Sequence, residues 1–196
     1  DIANLDRLFD AGFRVMGLQH FFDNRLGGSL HGISNAGLSD FGREVVNEMI
    51  AKDMIIDLAH SSPQVAADVL AMTDVPLIVS HTGVHGHCET KRNYPDALMK
   101  QIAETGGLIG IGYWEEVTCN DSPNGVAATI TAAIDLLGVD HVSLGSDYDG
   151  SVETAFDIAE LAALTDELLK AGLSDGDIAK VMGGNMVRFL LAALPD

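Results

Sequence analysis

Five short, nearly continuous apolar runs punctuate the chain, and four of them lead directly into a histidine or an aspartate. The runs are residues 13–18 (FRVMGL), 54–58 (MIIDL), 76–79 (PLIV), 107–112 (GLIGIG) and 141–144 (HVSL). None alternates polar with apolar residues, so each reads as a parallel strand covered on both faces. Segments of helical character separate them. Ser39 is placed to N-cap a helix over 40–52 that carries Phe41, Val45, Val46 and Met49 on one face, Ser62-Pro63 opens 64–72, and Pro95-Asp96 opens 97–104. Further helices are expected over 126–137, over 157–171, from Ser174 toward Met182, and over 185–194, with Gly138 and Gly172 as stops for the first two. This alternation predicts an α/β fold of βα units, either a doubly wound sheet or part of a TIM-type (β/α)8 barrel.

The ends of the runs carry the chemistry. The first leads into LQH (His20), the second into DLAH (His60), the third into VSH (His81) and the fifth into GSDYDG (Asp147 and Asp149). In a parallel barrel all such ends open on one face, where barrel enzymes place their catalytic groups. Three imidazoles and a carboxylate converging there suit metal-assisted hydrolysis, because neutral imidazoles hold zinc-like metals and a carboxylate can move the proton. A single strand-end histidine is more often structural than a ligand; three in succession favour a metal site. His31, His85 and His87 lie in Gly-flanked loops and are expected to be solvated, with lining the pocket as the lesser reading, while His141, at the start of a run, is expected to be structural. Asp57 reads equally as an orienting group or as a support for the ligands. Arg92, in ETKRNYPD just beyond His81, reads either as a bidentate clamp for a substrate carboxylate or as one half of a surface ion pair.

Charge narrows the partners. With 29 acidic against 11 basic residues the formal charge is −18, which argues against nucleic acid as a partner. No run approaches the roughly 18 apolar residues of a membrane span, and DIANLDRLFDAGF shows no basic-then-apolar leader. Two cysteines, Cys88 and Cys119, are too few for a four-thiolate zinc site, and two unpaired, partly buried thiols remain open as a reading. The 47% apolar content is enough for one ordinary domain.

Taken together, GFRVMGLQHFFDN, GLSDFGREVVNEMIAKDMIIDLAHSS, VPLIVSHTG, KRNYPDALMKQIAETGGLIGIGYW, GVDHVSLGSDYDG and VMGGNMVRFL resemble the membrane (renal) dipeptidase family of metallopeptidases, in the family's order and over nearly the whole chain. The resemblance implies an amidohydrolase-like barrel that cleaves dipeptides, including those with a C-terminal D-residue, with metal-activated water at a site of two zinc ions. His60 and His81 resemble two ligands of one zinc, His20 the histidine that polarises the scissile carbonyl, Arg92 the residue that holds the terminal carboxylate, and Asp147 the proton relay to the leaving amine. Cys88 and Cys119 match positions that form a disulfide in some relatives; such a pair would favour an extracytoplasmic or periplasmic location, its absence the cytoplasm. A homodimer is left open. The family's His-x-Asp pair and bridging Glu are absent, and 196 residues fall short of the roughly 250 of a (β/α)8 barrel. The chain is therefore expected to be the C-terminal portion of one barrel domain, from about strand four to strand eight, with an exposed interior and a weak two-histidine half-site. Another metal-dependent barrel hydrolase and a catalytically silent barrel fragment are the alternatives.

Overall fold

All five apolar runs form strands, and they lie side by side in one parallel sheet. The computed structural model describes residues 1–194. Its elements are α1 (Ala3–Asp10), β1 (Val15–Gly17), α2 (Asp40–Ala51), β2 (Ile55–Asp57), α3 (Pro63–Leu70), β3 (Ile78–Thr82), α4 (Asp96–Glu104), β4 (Leu108–Ile111), α5 (Glu115–Thr118), α6 (Pro123–Leu137), β5 (Val142–Leu144), α7 (Leu161–Lys170), α8 (Asp175–Ala179) and α9 (Asn185–Ala193). The sheet order is the chain order, β1-β2-β3-β4-β5. A doubly wound sheet reverses its order at a switch point, whereas a barrel never does. The open choice between the two is thereby decided for an arc of a barrel.

Local sequence accounts for most helix starts. Ser39 accepts the N–H of Gly42, Ser62 that of Val65 and Ser174 that of Asp177, each satisfying an orphan donor of the first turn. Helix α6 starts earlier than expected, at Pro123, because Ser122 caps it through the Gly125 N–H. The helix expected over 157–171 is divided, since Asp157 and Glu160 form a capping box around a short 3₁₀ turn, Ile158–Glu160, ahead of α7. A wide turn over Lys180–Gly184 joins α8 to α9, with Gly183 at a φ of 149° that favours glycine.

Two apolar layers sandwich the sheet. On the outer face Ile56, Val79, Ile109 and Val142 pack with Val46 and Met49 of α2, Val65 and Val69 of α3, Met99 and Ile102 of α4, and Ile130 of α6, all buried. Burying each such side chain contributes about 1.5–3 kcal/mol. On the other face Ile55, Ile78 and Leu108, the first residues of β2, β3 and β4, sit against Phe189 of α9. The barrel interior was expected to lie exposed; instead α9 lies across its lower end. At the upper end Gly110 and Gly145 are required by close approach, because a Cβ on either would collide with the Ser80 carbonyl oxygen. Between Val79 and Thr82 the register of β3 against β4 shifts. That irregularity falls at His81, and such bulges re-aim side chains.

Candidate metal and carboxylate site

Parallel pairing places the C-terminal ends of β1, β2, β3 and β5 on one side of the sheet, and with them His20, His60, His81 and Asp147. His60 Nε2 lies 2.9 Å from His81 Nε2, and His81 Nε2 lies 3.9 Å from Asp147 Oδ2. His60 (φ 63°) and Asp147 (φ 58°) both adopt left-handed backbone, a conformation that costs on the order of 1 kcal/mol or more per residue and concentrates at functional sites.

The surroundings hold the His60 strain in place. Its carbonyl oxygen accepts the Leu30 N–H at 2.7 Å and the Ser29 hydroxyl at 3.3 Å, and the same hydroxyl reaches the His20 carbonyl oxygen. Beneath it the buried Tyr94 hydroxyl lies 2.6 Å from the carbonyl oxygens of both Leu58 and Ser61. His81 is oriented through Nδ1, 2.8 Å from Ser80 Oγ. Asp57 Oδ1 accepts the N–H groups of Ala59 and Ser80, each at 3.0 Å, and so ties the end of β2 to β3.

Burial, with the Arg92 charge as the second cause, drops the imidazolium pKa of His60 to about 3 and that of His81 to about 4. Both rings are therefore neutral near pH 7, the form in which imidazole donates a lone pair. Desolvation raises Asp147 above the usual carboxylate value, against a lowering by Arg92. Among the described residues His60 Nδ1 is buried without a hydrogen-bond partner. Two neutral nitrogens converging at 2.9 Å fit the near end of a metal site, since ligands about 2.05 Å from a tetrahedral zinc stand roughly 3.3 Å apart. The fit is partial. Among the described residues no group of three His, Cys, Asp or Glu is placed to hold a metal, and catalytic zinc needs about three protein ligands.

Arg92 is the second centre of charge. Its side chain is buried at 3% exposure, donates from Nη2 to the His81 carbonyl oxygen at 3.0 Å and lies over the Trp114 ring at 5.4 Å. Among the described residues no carboxylate lies within 4.0 Å of it, so the surface ion-pair reading is excluded. A buried guanidinium without an acid partner is a ready receptor for an external carboxylate. Its loop is fixed by a Cys88–Cys119 disulfide, which replaces the two free thiols left open from the sequence. Asn93 adds to this, its amide donating to the Cys88 and Val117 carbonyls at 2.9 and 3.0 Å and accepting the Gly83 N–H at 2.8 Å.

A recess of about 70 Å³ joins these groups, lined by His20, His31, His60, Arg92, Trp114 and Asp147 among others. His31 is exposed, as expected of a loop residue, and it also lines the recess: its ring centroid lies 5.3 Å from His60 and 5.0 Å from Phe21. Partial burial, then Arg92, lowers its pKa. Phe21, Trp114 and Glu116 also line the recess and were not legible as site residues. His141 sits away from the site and donates through Nδ1 to the Gly107 carbonyl at 2.9 Å.

The comparisons with known proteins agree with this geometry. The family model "Membrane dipeptidase (Peptidase family M19)" matches residues 1–193. "Dipeptidase verJ" of Clonostachys rogersoniana is 34% identical over 190 residues, covering 93% of this chain and 49% of its own, and "Dipeptidase aclJ" of Aspergillus oryzae is 33% identical over 203 residues, covering 96% and 47%. The chain thus spans about half the length of these curated relatives. Among solved structures, the metallo peptidase from Rhodobacter sphaeroides liganded with a phosphinate mimic of the dipeptide L-Ala-D-Ala superposes with a TM-score of 0.85 at 26% identity, over 97% of this chain and 58% of that one. The probable dipeptidase PvdM from Pseudomonas aeruginosa gives a TM-score of 0.89 at 21% identity, over 96% and 64%, a likeness of fold alone. Among the described residues no helix is long and apolar enough to cross a membrane. With the family model matching residues 1–193 and its strand-end histidines on one barrel face, this chain belongs to the membrane dipeptidase family, peptidase family M19.

Proposed function

We propose that the chain carries one metal-ligating half and the carboxylate-recognition half of a dipeptidase barrel, and that the complete protein hydrolyses the peptide bond of dipeptides. The observation that carries this reading is the adjacency of a facing pair of neutral imidazoles and a buried Arg92 with no carboxylate within 4.0 Å among the described residues, whose guanidinium bonds the backbone of His81 itself. A carboxylate held at Arg92 therefore lies about one residue from the imidazole pair, which is the span of a dipeptide and not of a long peptide. The phosphinate dipeptide mimic bound by a 26% identical relative supports the same substrate class, including a D-residue in the second position.

His60 and His81 would hold one zinc ion, with the remaining ligands and the second ion's site contributed by the portion of the barrel outside residues 1–196. A divalent metal bound there would lower the pKa of a water to about 7 and polarise a carbonyl oxygen. Within this chain Arg92 fixes the substrate carboxylate, His20 donates a hydrogen bond to the carbonyl oxygen as charge develops on it, and Asp147 takes a proton from the attacking water and passes it to the departing amine nitrogen. The disulfide supports an extracytoplasmic location, where such bonds persist.

The test is hydrolysis of Ala-Ala and Ala-D-Ala by the full-length, zinc-loaded protein, beside zinc binding measured by calorimetry. His60→Ala and His81→Ala should each lose zinc and activity together, and His20→Ala should lower kcat by about 10²–10³ while zinc remains bound. Full activity in either ligand variant would overturn the reading. Hydrolysis of a lactone or a deamination in place of dipeptide cleavage would favour the other barrel hydrolases.

A further inference from the structure

The recess at the histidines measures only about 70 Å³, below the roughly 300–1,000 Å³ of sites that enclose small ligands. Next to it lies a cleft of about 760 Å³ that shares His31, Arg92 and Glu116 with the recess. Residues 30–35 form one wall, with Ile33 and Asn35, and residues 85–95 the other, with His85, Thr90 and Lys91. Pro63 at the first position of α3 and Pro95 at the N-cap of α4 also line it, so two helix N-terminal ends, the positive ends of their dipoles, stand at its wall.

Charge makes the cleft unusual for this molecule. In a chain of formal charge −18, Arg92 and Lys91 both line it and neither has a carboxylate within 4.0 Å among the described residues. Among the described residues Glu116 is the one acidic residue in its lining, and His31 and His85 add two imidazoles. Arg92 belongs to both cavities, so a carboxylate held there sets the adjoining α-carbon at their junction, with the peptide bond toward the histidines and the side chain toward the cleft.

We propose that this cleft is the subsite for the side chain of the substrate's C-terminal residue and that it selects acidic side chains, aspartyl or glutamyl, through Lys91. The inference rests on the dipeptidase reading above. Lys91 is exposed and acts as a specificity residue, not a catalytic one.

The experiment compares kcat/KM of the full-length, zinc-loaded protein on Ala-Glu and Ala-Gln and on Ala-Asp and Ala-Asn, pairs that differ in charge at nearly constant shape. The acidic member should be preferred about 1.5- to fivefold, through KM, as expected for a partly screened ion pair. Lys91→Ala should abolish the preference and leave Ala-Ala hydrolysis unchanged, Lys91→Arg should retain it, Lys91→Glu should invert it, and Glu116→Gln should enlarge it. Equal rates on the paired substrates, or a preference that survives Lys91→Glu, would overturn the subsite while the dipeptidase reading stands. Failure to cleave any dipeptide, Ala-Ala included, would overturn both.

Discussion

On one side of the site His20, His31 and His60 hang on a web of backbone hydrogen bonds; on the other, Arg92 and Trp114 are held by a covalent cross-link and a buried amide. The histidine wall depends on the loop over residues 23–34. Ser29 reaches the carbonyls of His20 and His60, Leu30 donates to His60, and the Ser62 N–H donates to the Gly28 carbonyl at 3.0 Å. The arginine wall depends on the Cys88–Cys119 bond, on Asn93 and on the Thr90 hydroxyl, which donates to the Glu116 carbonyl at 2.9 Å. Many weak bonds yield one at a time, whereas a cross-link is either present or absent. The histidine wall should therefore soften gradually with pH and mutation, and the arginine wall should fail in one step.

Removing the cross-link is expected to have the largest effect. The bond spans 31 residues, and closing a loop of that length stabilises by about 2–4 kcal/mol, mainly through the unfolded chain. The Cys88→Ser, Cys119→Ser double variant, or reduction of the wild type, should lower the thermal midpoint and raise KM for dipeptides more than it lowers kcat, because the loop it frees carries Arg92. Calorimetry and steady-state kinetics check both. Unchanged KM in a protein that has lost stability would show that Asn93 alone positions the arginine.

Arg92→Lys comes next and separates recognition from the scaffold. Lysine keeps the charge but loses the planar fork that bonds the His81 carbonyl and lies over Trp114. KM should rise roughly tenfold to a hundredfold, the equivalent of about 1.5–3 kcal/mol for hydrogen bonds to a charged group. The thermal midpoint should move little, since the cross-link and Asn93 remain. A dipeptide amide, which lacks the carboxylate, should lose much less; an equal loss on amide and acid would remove Arg92 from carboxylate recognition.

The two walls also differed in how far the sequence disclosed them. Strands and caps were legible because their determinants are local: an unbroken apolar run, or a serine three residues ahead of the N–H it caps, as at Ser39 and Ser62. The convergence of His20, His60, His81 and Asp147 followed from parallel strands alone, since all their ends share one side. His31 was legible only as a lesser pocket candidate. It reaches His60 only because its loop folds back on bonds from Asp23 and Ser29, and Gly-flanked histidines in loops carry no periodic signal. The cover that α9 gives the lower sheet face was hidden for a similar reason, because Phe189 meets Ile55, Ile78 and Leu108 across long stretches of chain. The helix break at Glu160 was written locally, in Asp157 and Glu160, but a continuous apolar pattern masked it.

The smallest predicted effect probes the hidden loop itself. Asp23 accepts the N–H of Ser29 at 2.8 Å through Oδ1 and those of Ile33 and Ser34 at 3.1 and 3.0 Å through Oδ2, and so shapes the turn that carries His31. Those backbone donors, Ser29 foremost, lower its pKa below the ordinary 3.8. A carboxylate whose folded pKa is depressed contributes stability in full above its unfolded value and loses it as pH falls through the folded one. The loop should accordingly be constant at neutral pH and loosen only on acidification below about pH 4. Asp23→Asn, which keeps one acceptor oxygen and loses the charge, should speed amide hydrogen exchange at Ser29, Ile33 and Ser34 at pH 7 and remove the acid dependence. Because Ser29 braces both His20 and His60, kcat/KM should fall about three- to tenfold, the difference between charge-assisted and neutral hydrogen bonds, with the thermal midpoint nearly unchanged. Exchange rates at these three amides that match the wild type would show that Ser29 and the pairing with residues 60–62 hold the histidine wall without Asp23.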